Sequence, residues 1–389
     1  MYIQHYIVII NVSVGVSTSG EVIMPNMQKI RCAVVGVGNC FAGLVQGIEY
    51  YRQHPEAEVI GVMHPVIADY SIHDLEFVAA FDVGENKIGK AINEAIYEYP
   101  NMVDWIPKNK MAKSKGIVYE SPVLDGVGIW VENRIKPIES KKTVEEIKRE
   151  ILKILKETKT EVLISYLPVG SEKATKFWAQ ICLDAKVAFV NCMPSFIASD
   201  PEWAEKFKKA GIPIVGDDIK GQVGATIVHR TLARLCDDRG TKIDKTYQIN
   251  TGGNTDFLNM KEQERLQSKK ISKTESVQSQ LRQRLPDDKI YVGPSDFIPF
   301  LGNTKLMFMR IEGRMWANMP YNMEVRLEVD DKANSAGIVI DAIRLAKIAL
   351  ERKLGGPIEA ASAYLMKHPP RQMSDSEAKS ELDEFILGG

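Results

Sequence analysis

The chain has 389 residues, which is too long for one ordinary hydrophobic core and indicates two domains. With 44% hydrophobic and 26% charged residues, its composition is that of a globular protein. Its net charge of −1 provides no basic footprint for nucleic acid, and no apolar run approaches the roughly 20 residues of a membrane helix. The five cysteines form no CxxC pair, which indicates reduced thiols of a cytoplasmic protein. We therefore predict no nucleic-acid partner and no membrane partner.

Residues 1–27 do not fit the rest of the chain. The run Tyr6–Val16 is apolar but interrupted, and it lacks the basic start and the small-residue cleavage site of a signal peptide. We interpret residues 1–27 as an N-terminal extension, either disordered or a start-site artefact, with Met24 or Met27 as the natural first residue.

A β-branched run, Ile30–Val35, leads into a glycine-rich turn and then into a periodic helix. Gly36 allows a tight turn, and Gly38 allows a phosphate to approach the backbone at the N-terminus of the helix. The match to G-x-G-x-x-G is imperfect, because Phe41 stands where a small residue is expected. Taken alone, the motif fits an ordinary βα turn equally well.

Buried strands alternate with helices up to about residue 222. The strand Glu76–Asp82 ends in an acid, the usual partner of a ribose hydroxyl pair, although an insertion of about 20 residues precedes it. A helix capped by Ser199, with Glu202 completing a capping box, is predicted to end at Gly211. This alternation predicts a parallel doubly wound sheet, whose ligands bind at the carboxyl ends of the strands. The polar and turn residues at those ends are Ser165, Tyr166, Pro168, Asn191, Asp217 and Asp218.

The pattern changes after about residue 222. Four partly alternating strands predict an antiparallel sheet with one wet or partner-facing side. They are Thr246–Asn250, Lys289–Val292, Lys305–Glu312 and Asn322–Val329. A long helix from Asn334 then belongs with the parallel sheet. We predict a Rossmann-like doubly wound domain, 28–222 plus 330–389, interrupted by an α+β domain, 223–329, that serves catalysis and oligomerisation.

Lysines stand out in the back half of the chain. Lys269 and Lys273 are four residues apart, so on a helix they share one face and repel each other unless an anion lies between them. The alternative for this pair is a solvated basic face. For Lys305 the alternative is a surface residue at a strand end, and for Lys367 it is a cation in the last turn of a helix before Pro369.

Six stretches carry a resemblance to a known family: Gly36–Cys40, Gly216–Thr226, Asn250–Asn259, Ser268–Lys273, Asn334–Gly337 and Ser362–Pro370. From about Lys29 to the C-terminus, the chain resembles the archaeal and bacterial branch of myo-inositol-1-phosphate synthase. One departure is Gly221, where the family usually has serine, so that a hydroxyl near the expected cofactor is missing.

The resemblance implies a redox-neutral isomerisation of D-glucose 6-phosphate to 1L-myo-inositol 1-phosphate. Bound NAD would oxidise C5, an enolate would form, C6 would attack the C1 aldehyde, and the resulting ketone would be reduced. The resemblance also implies a homotetramer, and it leaves a divalent cation open as a second cofactor that bridges phosphates with few protein ligands.

The resemblance also implies residue roles. Lys269 and Lys305 would handle the C5 oxygen and its proton, Lys273 the enolate, and Lys367 the C1 carbonyl. Asp218, Asn250 and Asp256 would hold the lysines and the nicotinamide end of the cofactor. With the strand-end residues added, the expected cofactor site comprises Gly36, Val37, Gly38, Asn39, Cys40, Asp82, Ser165, Tyr166, Asn191, Asp217, Lys220, Gly221, Asp256 and Lys269.

Two other functions stay open. A conventional NAD(P)-dependent dehydrogenase of a phosphorylated or acidic substrate would share the front half of the chain but release NADH. A non-enzymatic NAD-binding scaffold would also keep the fold, and the retained lysines argue against it.

Overall fold

The structure, a computed structural model, describes residues 15–16, 22–23 and 29–388. The prediction for residues 1–27 therefore falls mostly outside the described residues. Within that segment the structure describes one short antiparallel ladder between Gly15–Val16 and Val22–Ile23.

Strands and helices alternate over the front of the chain, as the hydrophobic pattern predicts. The strands are β1 (Ile30–Val35), β2 (Leu75–Asp82), β3 (Ile117–Glu120), β4 (Val162–Ser165), β5 (Ala188–Asn191) and β6 (Pro213–Val215). The helices are α1 (Asn39–Gln53), α2 (Ile92–Ala95), α3 (Val144–Glu157), α4 (Glu172–Ala185) and α5 (Pro201–Ala210). A two-residue ladder between Val66–Ile67 and Tyr70–Ser71 lies in the expected insertion before β2.

A second sheet follows. Its region contains α6 (Ala225–Asp238), β7 (Lys242–Gly252), α7 (Thr255–Asn259), α8 (Gln267–Gln278), β8 (Ile290–Phe297), β9 (Thr304–Arg314) and β10 (Pro320–Asp330). The strand order is β8-β7-β9-β10. The prediction of an antiparallel sheet is wrong for one pair, because β7 and β8 are parallel. The crossover through α7 and α8 returns the chain to the start of the sheet, so both strands run in the same direction.

The chain then returns to the first sheet with α9 (Ala333–Glu351), β11 (Gly356–Pro357), α10 (Glu359–Leu365) and α11 (Asp375–Leu387). The first sheet is entirely parallel, in the order β11-β6-β5-β4-β1-β2-β3. One core contains α1 and α9, and another contains α3 and α4, so both faces are covered. This topology confirms the Rossmann-like doubly wound fold. We keep 28–222 plus 330–389, and 223–329, as proposed domain boundaries.

The start of α5 corrects one prediction. Asp200, and not Ser199, is the N-cap, because its carboxylate accepts from the Glu202 and Trp203 amides at 2.8 and 3.1 Å. The Ser199 hydroxyl instead donates to Asp217 Oδ2 at 2.8 Å. A buried carboxylate needs donors, and it recruits the hydroxyl that would otherwise cap the helix.

Candidate active site

The turn after β1 needs its two glycines for different reasons. Gly36 has a φ of +95°, and a side chain there would collide with the Tyr166 carbonyl. A Cβ added at Gly38 would meet no protein atom within 4 Å. Gly36 therefore permits the turn, whereas Gly38 leaves open space in front of the N-terminus of α1.

Asp82 lies beside this turn at the end of β2. Its Oδ2 accepts from the Val37 amide and its Oδ1 from the Gly84 amide, both at 2.7 Å. A carboxylate has further lone pairs, so Asp82 can still accept hydroxyls from a ligand. The adjoining space, here named the glycine-loop cavity, is lined by residues that include Gly38, Asn39, Asp82, Ser121, Tyr166 and Thr255.

The four predicted lysines all line a second cavity, here named the lysine cavity. Helix α8 supplies Lys269 and Lys273, the start of β9 supplies Lys305, and the segment after α10 supplies Lys367. Asn250 and Cys40 also line it, and Asp256 and Tyr166 line both cavities. The structure thus brings together side chains that are far apart in the sequence, beside the glycine-loop cavity.

Asp218 organises two of the lysines. Its Oδ1 accepts from Lys269 Nζ at 2.7 Å and from Lys367 Nζ at 2.9 Å, and its Oδ2 accepts from the Ser272 hydroxyl at 2.6 Å. Burial alone would raise the pKa of Asp218, but the Lys269 and Lys367 ammonium groups hold it well below its ordinary value. Asp218 is therefore a fixed anion between two cations.

Lys273 forms no ion pair with any residue that the structure describes. Burial, and then the charges of Lys269, Lys305 and Lys367, hold the pKa of Lys273 well below its ordinary value. Burial also lowers the pKa of Lys367 to about 8, although Asp218 opposes this shift. An amine with a lowered pKa can accept and return a proton near neutral pH, and an anion between these lysines would relieve their repulsion.

Two charged residues that line the lysine cavity were not predicted, Asp331 and Lys332. Lys305 donates to Asp331 Oδ1 at 3.0 Å. The Lys332 ammonium lies 2.5 Å from Asp256 Oδ2 and 3.3 Å from Asp331 Oδ2. The signal available in the sequence was the charged run 330–332 at the junction of a strand and the Asn334–Gly337 motif.

The family model described as myo-inositol-1-phosphate synthase matches residues 224–332. The inositol-3-phosphate synthase of Mycolicibacterium smegmatis is 50% identical over 365 residues, covering 92% of this chain and 98% of that protein. The inositol-3-phosphate synthase of Mycobacterium tuberculosis (strain CDC 1551 / Oshkosh) is 50% identical over 361 residues, covering 92% and 96%. The chain belongs to the myo-inositol-1-phosphate synthase family.

Solved structures share the fold of this chain. The crystal structure of Ari2 is 33% identical, with a TM-score of 0.72, covering 93% of this chain and 100% of that chain. The inositol-3-phosphate synthase of Caenorhabditis elegans has a TM-score of 0.72 at 15% identity, covering 92% and 85%, and this likeness shows the fold alone. The relatives at 50% identity confirm the resemblance drawn from the sequence motifs.

In this family member, the N-terminus of α6 also lines the lysine cavity, through Gly221, Gly224, Ala225 and Thr226. No side chain caps this 14-residue helix. Because no side chain caps them, the first amides of this helix can donate to an anion beside the lysines.

Gly221, where the resemblance leads us to expect serine, packs against Asn334. A Cβ at this position would lie 2.9 Å from Asn334 Nδ2. The Asn334 side chain is held there, because its Oδ1 accepts from the Val223 amide at 2.9 Å. Asn334 thus occupies the space that a serine at position 221 would need.

Four of the expected cofactor residues stay predictions. Ser165, Asn191 and Asp217 line neither cavity. Asn191 donates to Asp217 Oδ1 at 2.7 Å, and Asp217 accepts from three backbone amides and one hydroxyl, so both side chains serve the turns after β5 and β6. Burial raises the pKa of Asp217 to about 6 despite these donors. Lys220 lines the lysine cavity, and its ammonium donates to the carbonyls of Ala363 and Tyr364 at 2.7 and 3.1 Å.

Several buried polar atoms at the two cavities have no hydrogen-bond partner among the described residues. They are Ser121 Oγ, Tyr166 Oη, Asn250 Nδ2 and Thr255 Oγ1. Buried polar groups are rarely left unpaired in folded proteins, so these atoms fit a ligand rich in hydroxyls and phosphate oxygens.

Within residues 15–16, 22–23 and 29–388, no group of three His, Cys, Asp or Glu side chains could hold a metal ion. No helix in that part of the chain could span a membrane.

Proposed function

We propose that this chain is an inositol-3-phosphate synthase that converts D-glucose 6-phosphate to 1L-myo-inositol 1-phosphate with catalytic NAD. One observation carries the proposal: four lysines from three separate segments line one cavity, and that cavity adjoins the glycine-loop cavity. When bound, NAD would take a hydride from C5 of the sugar and return it after ring closure.

The glycine-loop cavity fits this cofactor. Asp82 would accept the adenosine ribose hydroxyls, and the open space at Gly38 would receive the pyrophosphate at the N-terminus of α1. The unpaired hydroxyls of Tyr166 and Thr255 would find partners on the cofactor. Asp256, which lines both cavities, would lie at the nicotinamide end.

The lysine cavity fits a sugar phosphate. The phosphate would bind at the uncapped N-terminus of α6, where backbone donors and the helix dipole favour an anion. Lys269 and Lys305 would take the proton from the C5 hydroxyl and hold its oxygen. Lys273 would stabilise negative charge when the C6 proton leaves, and Lys367 would polarise the C1 carbonyl. Fixed cations serve these steps because they are in place before the charge develops.

An assay with glucose 6-phosphate and NAD+ tests the proposal. We expect NMR to show inositol phosphate as the product, with NAD+ acting in catalytic amount and no net absorbance from NADH. A variant with Lys305→Met serves as the inactive control. Stoichiometric NADH that tracks product would instead establish the dehydrogenase. The same assay with EDTA tests whether a divalent cation is a second cofactor.

The outer face of the mixed sheet supports a proposed homo-oligomer. Tyr247, Ile249, Tyr291 and Phe308 are each 39–45% exposed on three adjacent strands. An apolar face of this kind is commonly covered by a partner, and two copies could pair sheet against sheet within a tetramer. Light scattering should show a tetramer at micromolar concentration. Phe308→Lys should dissociate it, whereas Ile60→Lys, at an exposed apolar residue outside this sheet, should not.

The proposal also places the enzyme in the cytoplasm. All five cysteines are free in the structure, and four of them are buried. Reduced, buried thiols are typical of that compartment.

A further inference from the structure

Lys332 is buried at the junction of the two cavities. Its side chain is 1% exposed, and its ammonium contacts Asp256 and Asp331 and lies 3.5 Å from Cys40 Sγ. Burial alone would lower the pKa of Lys332, but the Asp256 and Asp331 carboxylates raise it well above its ordinary value, so the lysine stays charged. A buried cation of this kind holds its partners tightly, because breaking one contact leaves an uncompensated charge.

Lys332 is connected through its two carboxylate partners to both cavities. Asp331 also accepts from Lys305, so Lys305, Asp331, Lys332 and Asp256 form one chain of charge-assisted hydrogen bonds. Lys305 faces the lysine cavity, and Asp256 lines both cavities. Cys40 belongs to the first turn of α1, directly after the glycine turn. Lys332 therefore contacts the elements that build each cavity.

We propose that Lys332 is a positioning residue of the reaction, which holds Asp256 at the cofactor end and, through Asp331, Lys305 at the substrate end. This inference rests on the proposed function. Without the Lys332 ammonium, Asp256 loses its only ion-pair partner among the described residues, and Asp331 loses the ammonium that holds it in place beside Lys305. Both side chains can then turn, and a misplacement of about 1 Å in a reacting group costs on the order of 10² in rate.

A second consequence concerns the redox state of the cofactor. The nicotinamide ring is cationic when oxidised and neutral when reduced. A fixed ammonium beside Asp256 cancels much of the attraction that this carboxylate would exert on a cationic ring. Removal of the ammonium should therefore favour binding of NAD+ over NADH.

Two variants test the proposal, with a matched control. Lys332→Met keeps most of the side-chain length but removes the charge, and Lys332→Arg keeps the charge. The control is Lys347→Met, because Lys347 is also a buried lysine that contacts two carboxylates, Glu161 at 2.5 Å and Glu351 at 3.1 Å, far from either cavity along α9. All three proteins should be compared with the wild type at equal folded concentration.

We expect Lys332→Met to lower kcat by roughly 10- to 100-fold while the KM for glucose 6-phosphate changes much less, since the chain positions groups for the reaction. Lys332→Arg should recover part of kcat. Fluorescence titration should show that Lys332→Met shifts the ratio of the NAD+ and NADH dissociation constants toward NAD+ by about tenfold, the scale of one partly screened charge. Lys347→Met should lower Tm without changing kcat or this ratio.

An unchanged kcat and an unchanged binding ratio in Lys332→Met would overturn the proposal, as would an equal loss of kcat in Lys347→Met. If Lys332→Met does not fold, Asp331→Asn replaces it. That variant weakens the link to Lys305 but keeps Lys332 on Asp256, so kcat should fall while the binding ratio stays the same. If the wild type makes no inositol phosphate, the proposed function fails, and the binding ratio still reports on Lys332.

Discussion

The two cavities are built by opposite means. The glycine-loop cavity is made largely of backbone: a turn that depends on glycine, the first amides of a helix, and a carboxylate fixed by two amides. The lysine cavity is made of charged side chains from segments that are far apart in the sequence, with Asp218 as a common anion. Backbone geometry suits a cofactor that returns unchanged, whereas fixed charges on side chains suit a substrate on which negative charge develops during the reaction.

The strongest test of this difference removes charge from the lysine cavity. Methionine at position 269, 273, 305 or 367 should each lower kcat by roughly 10² or more, the scale of losing a positioned base or oxyanion donor. NAD+ affinity should change less, except at Lys269. The matched control is Lys270→Met, because Lys270 is an exposed neighbour on the same helix and should retain full activity. Near-normal turnover in three of the four variants would remove the lysine cavity from the mechanism.

A pair of glycine variants tests the other cavity. Gly38→Ala places a methyl group in open space, so we expect a folded protein with NAD+ affinity reduced on the order of tenfold or more. Gly36→Ala forces a side chain onto the Tyr166 carbonyl at positive φ, so it should lower Tm as well, by strain of about 1–3 kcal/mol or more. Calorimetry and cofactor titration of both proteins separate the two effects. Equal Tm losses would contradict the separate roles of the two glycines.

We expect a smaller effect on the affinity for NAD+ relative to NADP+. Asp82 should disfavour the 2′-phosphate of NADP+, so the wild type should bind NAD+ at least about tenfold more tightly. Asp82→Asn keeps one acceptor for the backbone amides and removes the charge. It should therefore reduce the ratio of the affinities for NAD+ and NADP+. Parallel titrations with the two cofactors measure the ratio. Equal affinity in the wild type would show that Asp82 does not meet the ribose.

The smallest effect is on stability as a function of pH. The pKa of Lys367 is lowered to about 8 in the folded protein, from an ordinary value of 10.5. Between these values the unfolded chain binds a proton that the folded chain does not, so this residue makes the protein more stable as pH rises from about 8 to about 10. Lys367→Met should show a shallower rise than the wild type in denaturant unfolding over that range. Identical slopes would contradict the lowered pKa.

The contrast between the cavities also explains what the sequence could predict. Hydrophobic pattern and turn residues identified the parallel strands, the glycine turn and Asp82, because these features are local. Lys305 and Lys367 could be assigned only by family resemblance, since each alone looks like a surface cation. Lys332 was missed for the same reason.

Three predicted cofactor residues show a different limit of sequence reasoning. Ser165, Asn191 and Asp217 were chosen because they end strands at the ligand-binding edge of the sheet. That position places the backbone near a ligand but does not fix the direction of the side chain, and Asn191 and Asp217 bond to each other instead. The Ser199 cap failed similarly, because the buried Asp217 competes for its hydroxyl.

Helix α9 has a consequence for how the protein is made. It is buried along most of its length against α1 and the centre of the parallel sheet, yet it is synthesised more than a hundred residues after β6. At ribosomal speeds of about 5–20 residues per second, this part of the sheet waits on the order of ten seconds for its cover. We expect nascent chains that end near residue 330 to bind a chaperone or a hydrophobic dye, and chains that include α9 to lose that binding. The inserted domain, 223–329, supplies lysines to the site, but its synthesis before α9 leaves the nascent chain exposed to aggregation.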